Sequence, residues 1–272
     1  MRILFWVCTL LIVFSSCQFG TERRRDRPDI FKDTLTYTYK TIHERATDCG
    51  NKADSACTVV NVKYPFFKNA PLLNDTIEAK GAKMFMVGEN AATSLHALTK
   101  NFLQLYMNDV APKNKSNVIY RLDINVNLVQ QDSALLALQL TGSIFQGGAH
   151  GGTYIGFINW NPKTKSEILL KDILVDGYQD KLTHVADSIF RKDEKLKDTS
   201  SLARDYFFKD DRFALNNNFS LTPVGIRFMY NEYEIKPYAA GQTELLIPYD
   251  KIKELIIPKS VIARYIKNDV GI

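Results

Sequence analysis

The sequence predicts an α+β fold in which antiparallel sheet is covered by helices on one side. Three observations carry this. Strand-like and helical segments come in blocks and do not alternate one by one, which disfavours a doubly wound parallel sheet. Two β-rich alternating runs, Leu35 to Ile42 and Thr58 to Tyr64, flank a polar, turn-rich loop, the pattern of a hairpin. The chain has 272 residues, 45% hydrophobic and 24% charged, an ordinary globular balance with ample length for a core.

The chain opens on Arg2, and Ile3 to Phe14 is apolar apart from Thr9. Ser15 and Ser16 follow. This is the layout of a secretory signal over residues 1–16, with an apolar run too short to span a membrane. Phe14-Ser15-Ser16-Cys17 resembles a bacterial lipobox, with Phe14 where leucine is usual, and makes Cys17 the lipidation site. The plainer alternative is an ordinary signal beside a chance cysteine. Several acyl chains, palmitate among them, would anchor the protein firmly, since one chain alone is marginal.

Residues 17–33 form a polar tether in which Arg23, Arg24, Arg25 and Arg27 face Glu22, Asp26 and Asp29. It is too polar to bury a core of its own. It reads as a solvated spacer with anionic lipid headgroups as an additional contact. It lacks the acidic run that follows the cysteine in surface-exported lipoproteins. The expectation is export and anchoring in the bacterial cell envelope, at the outer membrane and facing the periplasm. Net charge is +5, a weak bias on a mixed surface that does not argue for nucleic acid.

Four cysteines are present. With Cys8 in the signal and Cys17 lipidated, Cys49 and Cys57 remain. An even pair in an exported protein reads as a disulfide, here closing the loop of the first hairpin. A metal pair is the competing reading, but too few ligands lie nearby.

Beyond the hairpin, Pro65 to Asp75 reads as a loop. Glu89 to Asp109 has helical spacing, with Ala92, Leu95, Leu98, Phe102, Leu105 and Tyr106 largely on one face. Val118 to Val129 alternates as a strand, with Tyr120, Leu122, Ile124, Val126 and Leu128 on one side. Strands over Ala134 to Phe145 and Thr153 to Trp160 follow. Asn161 to Lys165 is a turn, and Gln179 to Arg191 a helix. A short helix is expected over Leu202 to Phe208, and strands at Phe219 to Thr222, Ile226 to Tyr230 and Leu245 to Tyr249. Asp250 is placed to cap a helix over Lys251 to Ile256. A break near residues 131–133 or near 161–165 is expected to separate two subdomains, with no true linker between them. The first gives an N-terminal lobe over 34–130 and a C-terminal lobe over 131–272.

Two stretches stand out as candidate sites. Gln146 to Tyr154 sets His150 among Gly147, Gly148, Gly151 and Gly152, between two strands. Such glycines mark positive φ or a close approach to the backbone. His150 is the candidate acid or base. However, the nucleophile elbow, the paired zinc histidines and the Gly-Lys-Ser/Thr ending of a phosphate loop are all absent. No metal, cofactor or nucleotide is expected. A conformational or recognition role outweighs catalysis, and a non-enzyme is the favoured reading. The second stretch, Tyr230 to Gly241, packs Tyr230, Tyr233 and Tyr238 with Asn231, Glu232 and Glu234 into one loop. Tyrosines with polar tips suit glycan stacking or a protein interface. A loop packed across the sheet with its rings buried is the even-weighted alternative.

At these two stretches the chain resembles a bacterial extracytoplasmic tandem family of two domains of unknown function. The resemblance rests on Gly147-Gly148-Ala149-His150-Gly151 with Tyr154, Asn159-Trp160-Asn161 and Leu169-Leu170-Lys171-Asp172-Ile173-Leu174. It rests equally on Tyr230-Asn231-Glu232-Tyr233-Glu234-Ile235, Pro237-Tyr238-Ala239-Ala240-Gly241 and Ile247-Pro248-Tyr249. The family occurs in lysozyme-sensing anti-sigma factors, beside a peptidoglycan deacetylase domain, and as stand-alone lipoproteins. The resemblance implies a two-lobed α+β fold, with a C-terminal lobe similar to a subdomain of actin-like ATPases that lacks their nucleotide site. It implies a non-catalytic domain facing the cell wall, whose partner is a peptidoglycan-type glycan or a protein such as lysozyme. The candidate binding residues are Gly147, Gly148, His150, Gly151, Tyr154, Tyr230, Asn231, Tyr233, Tyr238 and Gly241. An envelope hydrolase using His150 and a purely structural envelope component are the alternatives. Glu232 stands where the family often has proline, and Lys236 where it often has a small residue.

Overall fold

The structure is a computed structural model that describes residues 35–85, 87, 91–113 and 118–266. The signal over 1–16, the tether over 17–33 and the lipidation site Cys17 lie outside the described residues.

Among the described residues, nine strands build two sheets. The first has β1 (Tyr37–Arg45), β2 (Val59–Phe67), β3 (Arg121–Gln131), β4 (Leu136–Phe145), β5 (Gly152–Asn161) and the two-residue β6 (Ser166–Glu167) in that order. β1 and β2 are the expected hairpin, with Ile42 opposite Val62. Cys49 and Cys57 are both buried in the connecting loop and disulfide-bonded, with Cα atoms 5.5 Å apart.

The first sheet is mixed and not purely antiparallel, because β2 and β3 run parallel. A parallel pair needs a crossover, and two helices supply it. The second of these, α2 (Leu95–Asp109), is the expected helix with a later start. Ser94 accepts the Ala97 N–H at 3.1 Å and so defines the N-terminus. The first, α1 (Pro71–Ala82), replaces the loop expected over Pro65 to Asp75. Its cues are weak. Leu73 and Ile77 are its fully buried large side chains, and Pro71 pre-sets the first turn. Asn74 ties this turn to β2 through the Phe67 N–H (2.9 Å) and C=O (2.8 Å).

The alternation in β3 is as expected. Leu122, Ile124 and Val126 are buried in the core they share with α1 and α2, and Asp123 and Asn125 point to the other face. β3, β4 and β5 form an antiparallel meander.

The second sheet has β7 (Phe219–Leu221), β8 (Gly225–Tyr230) and β9 (Thr243–Pro248), all antiparallel. Helix α3 (Tyr178–Asp193) packs on β9, and a short α4 (Ala263–Ile266) ends the described chain. Leu202 to Phe208 is irregular and not helical. Tyr206, Phe208 and Phe213 turn inward around Phe190, with ring centroids 5.1–5.6 Å from it. That packing outweighs a continuous helical ladder. The helix expected over Lys251 to Ile256 is two separate 3-10 turns, Tyr249–Lys251 and Lys253–Leu255. Ile252 (φ −133°) breaks the run, and Asp250 makes no cap bond.

The division between the lobes lies later than residue 130. β4 is an inner strand of the first sheet, β5 pairs along it and is covered by β6 only at Trp160 and Asn161, and the core of this sheet includes Trp160. Apart from Leu135, the second core takes over at Ile168. The turn over 161–165, the other break legible in the sequence, is therefore the change of core.

Candidate functional site

The glycine loop is the tip of the β4–β5 hairpin, as its flanking strands imply. Gly147 and Gly148 have φ of +83° and +88°, and Gly241 in the other motif has +67°. Gly151 is required for a different reason. A Cβ there would lie 2.5 Å from the Ile144 carbonyl oxygen. His150 is exposed at this tip. Its Nδ1 lies 2.8 Å from the Gly151 carbonyl. A carbonyl only accepts, so Nδ1 carries the proton and Nε2 faces outward unprotonated in the neutral ring. No carboxylate orients the ring among the described residues.

The tyrosine-rich loop follows β8 and is anchored at both ends. Tyr230 is fully buried, and its hydroxyl donates to the Ala214 carbonyl at 2.8 Å. It is a core residue and not a binding contact. Burial first, and the charge of Glu234 second, push its hydroxyl pKa well up. Ile235 is buried at the far end, and Lys236 pairs with Glu194 at 2.9 Å. Between these anchors Tyr233 is left 58% exposed with φ +63°. A left-handed backbone is unfavourable for a tyrosine by about 1–2 kcal/mol.

The two motifs meet. The His150 ring stacks on Tyr238 with centroids 3.8 Å apart and planes 16° from parallel. Tyr233 completes the cluster, 6.4 Å from His150 and 5.7 Å from Tyr238. Behind the rings, side chains close the outer edge of β5. Glu232 accepts the Thr153 N–H (2.9 Å) and hydroxyl (2.7 Å). Asn231 Oδ1 accepts the Ile155 N–H at 2.7 Å, and its Nδ2 donates to the Ile155 carbonyl at 3.1 Å. The carboxamide stands in for a neighbouring strand. Asn231 is thus a docking residue. Glu234 accepts from Asn216 Nδ2 and the Asn231 N–H, at 2.7 and 2.8 Å. Both glutamates are spent on structure, and neither forms a glycosidase pair.

Two more carboxamides complete this seam: Asn218, which no quoted motif contains, and Asn159 of the Asn159-Trp160-Asn161 motif. Asn218 Nδ2 donates to the Ile155 carbonyl at 2.7 Å. Asn159, 2% exposed, reaches the opposite way, donating to the Phe219 carbonyl (2.8 Å) and accepting the Leu221 N–H (2.9 Å). The run Asn216-Asn217-Asn218 just before β7 was the available hint, since three consecutive amides beside a strand seek backbone partners.

Tyr154 lies apart from the rings. It packs edge-on to Phe85 (6.3 Å) and lines a cleft of about 350 Å³ with Lys80, Lys83, Asn217 and Glu234. Burial, then the charge of Glu234, raise its hydroxyl pKa. Of the sequence candidates, His150, Tyr233 and Tyr238 share one surface. Tyr154 and Asn231 share the cleft, and Tyr230 belongs to the core.

Residues 171–250 match the family DUF3298, described as a protein of unknown function. This segment is therefore similar to a DUF3298 domain. No curated protein sequence matches it. Two solved DUF3298 structures share its fold. One, from Bacteroides fragilis NCTC 9343, has 26% identity and a TM-score of 0.66, covering 86% of this chain and 98% of its own. The other, from Pseudomonas aeruginosa PAO1, has 22% identity and a TM-score of 0.65, covering 82% and 95%. The segment that matches DUF3298 supplies Asn231, Tyr233 and Tyr238. His150, Thr153 and Ile155 come from the sheet before it, so the ring cluster straddles the domain edge.

Proposed function

We propose that this protein is a non-catalytic lipoprotein of the bacterial cell envelope. Its His150–Tyr233–Tyr238 cluster binds a peptidoglycan-type glycan or a protein such as lysozyme. One observation carries the reading: Tyr233 is held exposed at φ +63° beside a stacked His–Tyr pair. Keeping a large ring in water on a disfavoured backbone is stabilising only in a complex, where rings dominate contact energy. Exposed rings on two loop tips favour a protein surface over a buried small ligand.

Full-length protein in detergent, titrated with purified peptidoglycan and with lysozyme, should bind one of them saturably. Tyr233→Ala should weaken that binding about tenfold or more, the loss of about 1.4 kcal/mol. Silence with both ligands would sink the proposal. The opposing reading, an envelope hydrolase with His150 as acid or base, expects turnover of peptidoglycan that His150→Ala abolishes and Tyr233→Ala spares.

A further inference from the structure

The first sheet has a second face. Its helix-covered side holds Ile42, Val62, Ile124 and Val126 in the core. Alternation therefore turns the intervening residues of β1 to β4 to the opposite side, where they line a groove of about 620 Å³. None of the ring cluster lines it.

The register arranges this groove as two rows, each crossing four strands. In one, His43 lies opposite Asn61, Asn61 opposite Asp123, and Asp123 opposite Ser143. In the other, Thr41 lies opposite Lys63, Lys63 opposite Asn125, and Asn125 opposite Thr141. Strand spacing makes each row about 14 Å long, and the rows lie about 7 Å apart.

The two rows differ in how they are satisfied. The first is bonded internally. His43 Nδ1 donates to Asn61 Oδ1 at 2.7 Å, and Asn61 Nδ2 to Asp123 Oδ1 at 2.8 Å. Arg121 closes the chain on Asp123 Oδ2 at 2.7 Å. In the second row, Thr41 and Lys63 make no side-chain hydrogen bond among the described residues. Asn125 Oδ1 is shielded from solvent, also without a partner. A buried carboxamide oxygen without a donor is costly, by about 1–3 kcal/mol. Beside this row stands an aromatic wall. Tyr39 is 41% exposed on the same strand face as Thr41, and the Lys63 ammonium sits 4.6 Å from its ring centroid.

We propose that this groove binds a neutral oligosaccharide. This row offers donors from Lys63 and Asn125 Nδ2 and the hydroxyl of Thr41, while the Thr141 hydroxyl, donating to the Asn125 carbonyl at 3.3 Å, is left to accept. A polyhydroxyl chain answers each with the same kind of group, and the C–H face of a sugar ring fits against Tyr39. Charge favours an anion only weakly. Arg121 already neutralises Asp123, so Lys63 is a single exposed ammonium whose solvent-screened charge adds little attraction for phosphate or carboxylate. The site is separate from the ring cluster and independent of what binds there.

The test titrates full-length protein in detergent with two uncharged probes, chitotetraose and cellotetraose, by calorimetry. Saturable binding of at least one is expected. It should weaken about tenfold in both Lys63→Ala and Asn125→Ala. Tyr233→Ala should leave it unchanged, and added salt should move it little. Lys63 is exposed, so its variant stays informative if Asn125→Ala proves unstable. No saturable binding of either sugar at millimolar concentration would overturn the proposal. So would binding indifferent to Lys63→Ala, or binding lost only in Tyr233→Ala, which would place the sugar at the rings. An affinity that falls steeply with salt would overturn the choice of a neutral ligand.

Discussion

Asn159 and Asn231 join the two sheets by the same device in opposite directions. Asn231, from the second lobe, caps Ile155 on the edge of β5, and Asn159, from β5, bridges Phe219 and Leu221 on the edge of β7. Each carboxamide presents one donor and one acceptor, as a peptide group does. Two edge strands that would otherwise expose their ladders are closed without pairing directly.

Asn159→Leu should therefore be severely destabilising. It keeps the branch at Cγ with somewhat more bulk, and strands a carbonyl and an N–H at a buried site, at about 1–3 kcal/mol each. A fall of about 3 kcal/mol in the unfolding free energy is expected by urea titration. Asn159→Asp should fare no better, because a carboxylate cannot donate to the Phe219 carbonyl.

Tyr233→Asn should separate stability from binding. Asparagine tolerates φ +63°, so the variant should unfold at higher urea, by about 0.5–1 kcal/mol. The same variant should lose ligand affinity. Gain of one with loss of the other is the signature of a strained functional residue. A loss of both would make Tyr233 a packing residue.

The glycine loop should show two different penalties. Gly151→Ala drives a methyl into the Ile144 carbonyl oxygen, a backbone atom that cannot swing aside. About 2–3 kcal/mol should be lost, and hydrogen exchange should rise across the β4–β5 hairpin. Gly148→Ala meets nothing within 4 Å, and only its φ of +88° counts against it. About 1 kcal/mol is expected there.

Asp132 and Arg264 make a pH-dependent latch between the β3–β4 turn and the C-terminal helix. The guanidinium lies 2.9 and 2.7 Å from the two carboxylate oxygens. Burial favours the protonated acid, but the bond from Arg264 and those from the Ala134 and Leu135 N–H groups outweigh it. The carboxyl pKa therefore falls below its ordinary 3.8. A folded pKa below the unfolded one stabilises fully above the unfolded value, and that contribution is lost as pH falls through the lower folded value. The melting temperature should drop in acid below about pH 4, and Asp132→Asn should flatten that drop. At neutral pH the variant should lose about 1 kcal/mol, modest because the pair is partly solvated.

Much of the architecture was legible. The hairpin around Cys49 and Cys57, the alternation of Leu122, Ile124 and Val126, and the one-sided apolar spacing of α2 are local signals, and each held. Pro71 to Ala82 was missed because its apolar stripe is weak. Leu202 to Phe208 was misread because Phe190, distant in sequence, draws its rings inward. The two motifs meet in the fold, but the division of roles within each was not legible. Tyr230 and Tyr233 are three residues apart and look alike in sequence, yet one is core and the other is exposed.

The sequence alone determined where turns, strands and helices fall, because periodicity and turn chemistry act within a few residues. It also marked Gln146 to Tyr154 and Tyr230 to Gly241 as the unusual stretches. Only the tertiary structure decided that they touch, that Glu232 and Asn231 serve the edge of β5, and that His150 and Tyr233 remain exposed beside a half-buried Tyr238. An edge strand exists only once a sheet is assembled. Which amides are consumed in closing it depends on contacts between residues about 60 to 80 positions apart, and no local pattern encodes them.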